Sequence, residues 1–176
     1  MKKFFTVLSF VTVAAAAQAQ QTVVLAENFS TFTAGGNTTS SGTTSPDVTD
    51  IYTTNASVAP TANFPTGSKV YSAGGMAKLG TSSLVGSMTS KSLDLSTNGG
   101  NVTITFDIKG WTAAGSILVK VTGKADQTVS YSAVMSGTPE TKTVTFTGGT
   151  ANSTVTFETP TTSLRAFIDN IEIKTG

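Results

Sequence analysis

The 176-residue chain has no cysteine and no histidine, and it holds a single tryptophan, Trp111, and a single arginine, Arg165. Without a thiol there is no disulfide framework, no thiolate zinc site and no cysteine for lipid attachment. Without an imidazole the commonest general base and the commonest metal ligand are gone. Ser-His-Asp, Cys-His and His-held zinc-hydroxide mechanisms are excluded with it. Charged residues make up only 12% of the chain, and near-neutral charge with a single arginine argues against nucleic acid or an anionic membrane as the partner. No window sustains a 3.6-residue apolar period, so almost no helix is expected in the main body of the chain.

What is present begins with a leader. Residues 1–19 read as a secretory signal peptide: Lys2 and Lys3, an apolar stretch from Phe4 to Ala17, then Ala17-Gln18-Ala19 as a small-x-small cleavage site. That stretch is too short for an ordinary membrane span, so no membrane insertion is expected. The product is expected to be secreted, to the periplasm, the cell surface or the medium. Residues 20–176 are enough for a single domain with a real core. Losing Lys2 and Lys3 leaves nine basic residues against ten acids, a net charge of −1.

From residue 102 onward the chain is a run of short alternating segments. Val102, Ile104, Phe106 and Ile108 share one phase while Thr103, Thr105, Asp107 and Lys109 share the other, the pattern of a half-buried strand. Further strands are expected at 116–122, 128–135, 141–147, 153–158 and 164–174, divided by turn residues such as Ser136-Gly137-Thr138-Pro139 and Thr147-Gly148-Gly149. The stretch from about 30 to 68 is rich in Thr, Ser, Asn, Gly and Pro and reads as a long polar excursion carrying one or two short strands. The expected fold is all-β, an antiparallel two-sheet β-sandwich of jelly-roll type.

Two carboxylates interrupt this patterning. The phase of Val23, Leu25 and Phe29 also carries Glu27, and the phase of Phe167, Ile171 and Ile173 also carries Asp169. Antiparallel pairing with Glu27 opposite Asp169 puts Val23 with Ile173, Leu25 with Ile171 and Phe29 with Phe167. Like charges facing each other repel, so this register asks for a cation between them. Calcium, a hard ion that takes oxygen ligands, is the candidate outside the cell. Arg165 lies on the phase of Asp169 but four residues away, roughly 13 Å along a strand, too far to neutralise it directly. The alternative is that each acid is hydrogen-bonded to backbone amides or capped by a lysine.

The acidic first strand Ala26-Glu27-Asn28-Phe29, the middle Ala77-Lys78-Leu79-Gly80-Thr81-Ser82-Ser83 with Asn101-Val102-Thr103-Ile104-Thr105-Phe106-Asp107, and the closing Arg165-Ala166-Phe167-Ile168-Asp169-Asn170-Ile171 resemble the galactose-binding-like jelly rolls. That group includes carbohydrate-binding modules of secreted bacterial proteins. The resemblance implies a sandwich whose first and last strands share a structural calcium, at Glu27 and Asp169 by position. It also implies a non-catalytic role in binding carbohydrate or a cell-surface polymer. Within this sequence no catalytic domain is expected beside the module, which sets it apart from a multidomain exoenzyme.

Trp111 follows the strand at 102–109 on the outward phase of Asp107 and Lys109. Exposed there, it would stack on a sugar ring, joined by Tyr71, Tyr52 and Tyr131. A bulge at Gly110 would instead swing it into the core. Threonine recurs as Thr-x-Thr at 103–105, 143–147 and 154–156, which outward β-preference accounts for without function. Asp94, Asp107, Glu140 and Glu158 are scattered over turns and outward phases and do not form the carboxylate pair of a glycosidase. The chain therefore reads as no enzyme. The rival reading is a structural or adhesive protein that docks with itself or another exported protein through an edge strand.

Overall fold

The computed structural model describes residues 20–176, so the leader expected at 1–19 lies outside the described residues. Eleven strands follow in order: β1 Thr22–Glu27, β2 Thr66–Ser68, β3 Val70–Ser72, β4 Ala77–Leu79, β5 Ser87–Thr89, β6 Val102–Gly110, β7 Gly115–Val121, β8 Gln127–Tyr131, β9 Glu140–Phe146, β10 Val155–Glu158 and β11 Ala166–Thr175. One sheet runs β3-β4-β11-β6-β9, with β1 also on β11; the other runs β2-β5-β10-β7-β8. Every strand pair is antiparallel. The architecture is the expected two-sheet β-sandwich. Among the described residues the only helical stretch is a short 3-10 segment at Thr97–Gly100.

Period-2 alternation builds the core. Val102, Ile104, Phe106 and Ile108 of β6 face inward and meet Ile117, Val119, Val155 and Phe157 from the other sheet in one continuous apolar cluster. The polar excursion contributes to that cluster. Phe32, Ile51 and Phe64 are buried in it, and a chain of ring contacts links Phe32, Phe29, Phe64, Phe157 and Phe106 at 5.0 to 6.2 Å between centroids. Asp50 ties the same segment to β3 by accepting from the Lys69 and Val70 amides. Composition alone marked this segment as surface, whereas its few apolar side chains hold it down.

The first and last strands do lie side by side, as expected, but the expected register is corrected by the structure. Leu25 faces Ile173 and Glu27 faces Ile171, two residues from the pairing of Glu27 with Asp169. A bulge in each strand shapes this corner of the sheet. Val24 is an extra residue in β1 that turns Val23 toward solvent and lets Val24 pack on the core. In β11 an extra residue falls between the Asp169–Asp107 and Glu172–Thr105 pairs, where Asn170 adopts a left-handed φ of 47°. Asparagine tolerates that conformation better than a β-branched residue would. The bulge reverses the phase of β11: Ala166 and Ile168 point into the core before it, Ile171 and Ile173 after it. Phe167 and Asp169 therefore stand on the outer face of the sheet, and the expectation that Asp169 points inward is corrected.

Candidate functional site

Register, more than sequence proximity, assembles the outer face. Tyr71 of β3 is paired with Lys78 of β4, Lys78 with Phe167 of β11, and Phe167 with Lys109 of β6. Residues directly opposite each other in adjoining antiparallel strands share a face, so these four form one row across the sheet. One step further along the strands, Trp111 follows β6 and Arg165 precedes β11, held together by the bond from the Trp111 amide to the Arg165 carbonyl, 3.0 Å. One step the other way, Asp107 faces Asp169.

The row is aromatic and cationic in alternation. The Lys78 ammonium stands 4.3 Å from the centre of the Tyr71 ring and 5.3 Å from that of Trp111, and the Arg165 guanidinium lies 4.4 Å from the Trp111 ring. Trp111 and Phe167 are parallel within 8° at 5.9 Å, an offset stack. Ring faces carry negative charge density, so each cation is drawn to them. Lys109 is 3% exposed and its ammonium donates to the Met135 carbonyl at 2.8 Å and to Asn37 at 2.9 Å, a cation sealed under two loops. A small apolar cluster of Ala73, Met76, Met135 and Phe167 closes the row, with Trp111 against it.

Beside this row is a cleft of about 280 Å³ walled by Trp111, Tyr71 and Lys78 on the sheet and by Pro46, Asp47 and Val48 from the excursion. Val48 is 89% exposed. Burial, with the charge of Arg165 adding to it, brings Lys78 down to about 8, and burial also lowers Arg165. The Arg165 Nε has no hydrogen-bond partner. Neither cation belongs to an ion pair among the described residues; the lysines that do are Lys69, Lys120, Lys142 and Lys174. The cleft can thus offer a small polar ligand an indole wall, a half-dry ammonium and an exposed apolar rim.

Trp111 and Tyr71 are therefore brought to one cleft, and Trp111 is half-buried on the outer face. Tyr52 is placed elsewhere: it packs against the main core and its hydroxyl donates to the Phe64 carbonyl at 3.0 Å. Burial, with the charge of Asp50, raises its pKa. Tyr131 is likewise in the core, where burial pushes its phenol up to about 12.

The two phase-breaking acids behave differently from each other. Glu27 accepts from the Asn28 and Phe29 amides at 3.1 and 3.0 Å and from the Asn63 side chain at 3.2 Å, capping the turn where Phe29 takes a φ of 46°. Asp169 has one carboxylate oxygen, Oδ1, buried without a partner. Burial above all, with the charges of Asp107 and Glu27 adding to it and an Asn170 amide bond opposing it, pushes Asp169 up to about 6. Across the ladder Asp107 is satisfied by Thr141 at 2.5 Å and by Asn170 at 2.9 Å. Among the described residues, no group of three or more metal-ligating side chains is gathered. A cation there would draw most of its six to eight oxygens from backbone carbonyls and water.

No family model matches the sequence, and no curated protein matches it. Among solved structures the fold is similar to that of carbohydrate-binding modules. CBM35 from Paenibacillus barcinonensis gives a TM-score of 0.48 at 14% identity, over 63% of this chain and 92% of that one. CBM35 from Cellvibrio japonicus Abf62 gives 0.47 at 20% identity, over 57% and 72%. The CBM1 module of BiXyn10A gives 0.48 at 12% identity, over 65% and 84%.

Lys78, Arg165, Asp107 and Val48 escaped the sequence reading as site residues. The signal for Lys78 was visible: alternation in Ala77-Lys78-Leu79 sends its side chain to the opposite face from two core residues. Its neighbours on that face were not visible, because β3, β4, β6 and β11 come together only through long-range pairing.

Proposed function

We propose that this chain is an exported, non-catalytic carbohydrate-binding module whose ligand lies in the cleft walled by Trp111 and Tyr71. The observation that carries the reading is the position of the one tryptophan: half-buried on the outer face of a sheet, fixed by Phe167 and Arg165, and forming the wall of a cleft. Rigid aromatic walls with a few polar groups are how sandwich surfaces hold sugar rings. Tyr52 has no part in this wall and is left to the core. Export rests on the leader pattern at 1–19; among the described residues, no helix is long and apolar enough to cross a membrane.

A structural calcium belongs to the same proposal. Its support is the unpartnered Oδ1 of Asp169, the facing Asp107 and the nearby charge of Glu27. Such an ion would cancel the repulsion within the acid pair and stiffen the bulge of β11.

The test is binding of the exported chain to a panel of plant, algal and bacterial polysaccharides by affinity electrophoresis, beside Trp111→Ala. The expected result is retention by at least one polysaccharide and a loss of ten-fold or more in the variant, with an unchanged circular dichroism spectrum. A wild-type protein retarded by none of them would end the carbohydrate reading.

A further inference from the structure

We propose that the cleft selects an acidic polysaccharide, with Lys78 and Arg165 receiving a carboxylate or sulfate of the sugar chain while Trp111 receives its ring. This rests on the carbohydrate reading above and narrows it to a ligand class.

The argument is one of unmatched charge. Four of the other described lysines are paired with carboxylates: Lys69 with Asp50 at 3.8 Å, Lys120 with Glu158 at 2.9 Å and Asp126 at 3.5 Å, Lys142 with Glu140 and Lys174 with Glu172 at 2.5 Å each. At the cleft the fold sets two cations on one aromatic surface and supplies no acid to either. Lys78 is 7% exposed; its ammonium has two ring faces and the like charge of Arg165 as neighbours and no hydrogen-bond acceptor among the described residues. Arg165 has a buried Nε without an acceptor. Desolvated cations gain little from neutral hydroxyls and much from a charged oxygen.

The acid on the rim does not fill this role. The Asp47 carboxylate accepts from the Val48 amide at 2.8 Å and from the Ser57 hydroxyl. The acids of the neighbouring row, Asp107 and Asp169, lie two residues along β6 and β11 from Lys109 and Phe167, and Lys78 forms no ion pair among the described residues. Lys109 is already taken up by carbonyls and Asn37. Among the described residues no carboxylate pairs with Lys78 or Arg165, and an anionic ligand would supply the acceptor they lack.

The ring faces add a second constraint. Tyr71 and Trp111 already carry cations, so a neutral sugar stacking on Trp111 would sit beside uncompensated charge. An anionic sugar brings the compensation with it. Val48, almost wholly exposed on the opposite rim, offers apolar contact to the same ring.

Isothermal titration of the full exported chain with polygalacturonate and with its fully methyl-esterified form separates charge from sugar, since the ester keeps the backbone and removes the anion. Dextran sulfate against unmodified dextran does the same for sulfate, and polyglutamate supplies charge without sugar. The expected result is at least ten-fold tighter binding to one of the acidic polysaccharides than to its uncharged counterpart. Lys78→Met, which keeps the aliphatic stem over the rings, is expected to lose ten-fold or more, and Lys78→Arg to keep most of the affinity. Which acid wins distinguishes carboxylate from sulfate. Equal binding of charged and uncharged forms, with Lys78→Met unaffected, overturns the inference and leaves the carbohydrate reading standing. Polyglutamate binding as tightly as the acidic polysaccharides overturns it as well, and the absence of any glycan binding overturns both. The wild-type comparison of acid and ester decides the matter even if a variant folds poorly.

Discussion

At the scale of single residues, Lys78 and Asp169 are charges of opposite sign that the described fold leaves without a counter-charge. Lys78 is lowered to about 8 by burial and by Arg165; Asp169 is raised to about 6 by burial, with Asp107 and Glu27 adding to it. A carboxyl whose folded pKa lies above its unfolded value favours the protonated state in the fold. Its penalty is absent below about pH 4, grows between about 4 and 6 and is complete above that. The shift is worth about 3 kcal/mol at face value, and about 1 kcal/mol after allowing for the solvent that still reaches this partly exposed group. Asp169→Asn removes the charge and keeps the shape. It is expected to raise the melting temperature by about 2–4 °C at pH 7 in chelator and to leave it unchanged near pH 4. In millimolar calcium the ordering reverses if the ion is held: wild type gains stability by mass action and the variant does not. Melting curves of both proteins, with and without calcium, check this; identical curves for wild type in chelator and calcium would remove the metal from the account.

At the scale of elements the polar excursion is the segment to test. Its composition suggested a loop laid over the surface, and most of its residues are exposed. Yet Phe64 is 1% exposed and sits between Phe29 and Phe157, within 6.2 Å of each ring centre. Phe64→Ala is therefore expected to cost about 3–5 kcal/mol, as for other buried phenylalanines, measured by urea unfolding; a loss under about 1 kcal/mol would mean that the segment is an ornament. Strand positions were legible because alternation is local. The inward run Val102 to Ile108 and the outward Asp107 and Lys109 follow from period 2 alone. The bulges at Val24 and Asn170 were not legible, since an extra residue shows only against a partner strand. That one residue in β11 decides whether Asp169 points into the core or stands beside Asp107 on the outer face.

For the whole molecule, fold class was legible, and of the candidate site only Trp111 and Tyr71 were named from the sequence. Short strands, turn chemistry and the adjacency of first and last strands leave few architectures besides a sandwich. The site forms where β3, β4, β11 and β6 line up four side chains drawn from residues 71, 78, 109 and 167, a distance along the chain that no local pattern spans. The same pairing places Trp111, the sole tryptophan of the chain, where it reports on its own cleft. All tryptophan fluorescence of this protein comes from the proposed binding wall. Titration with a polysaccharide that the protein retains is expected to change the intensity or emission maximum of Trp111 saturably, with the midpoint seen by calorimetry. Tight polysaccharide binding that leaves the emission of Trp111 untouched would place the ligand elsewhere on the molecule and contradict the account.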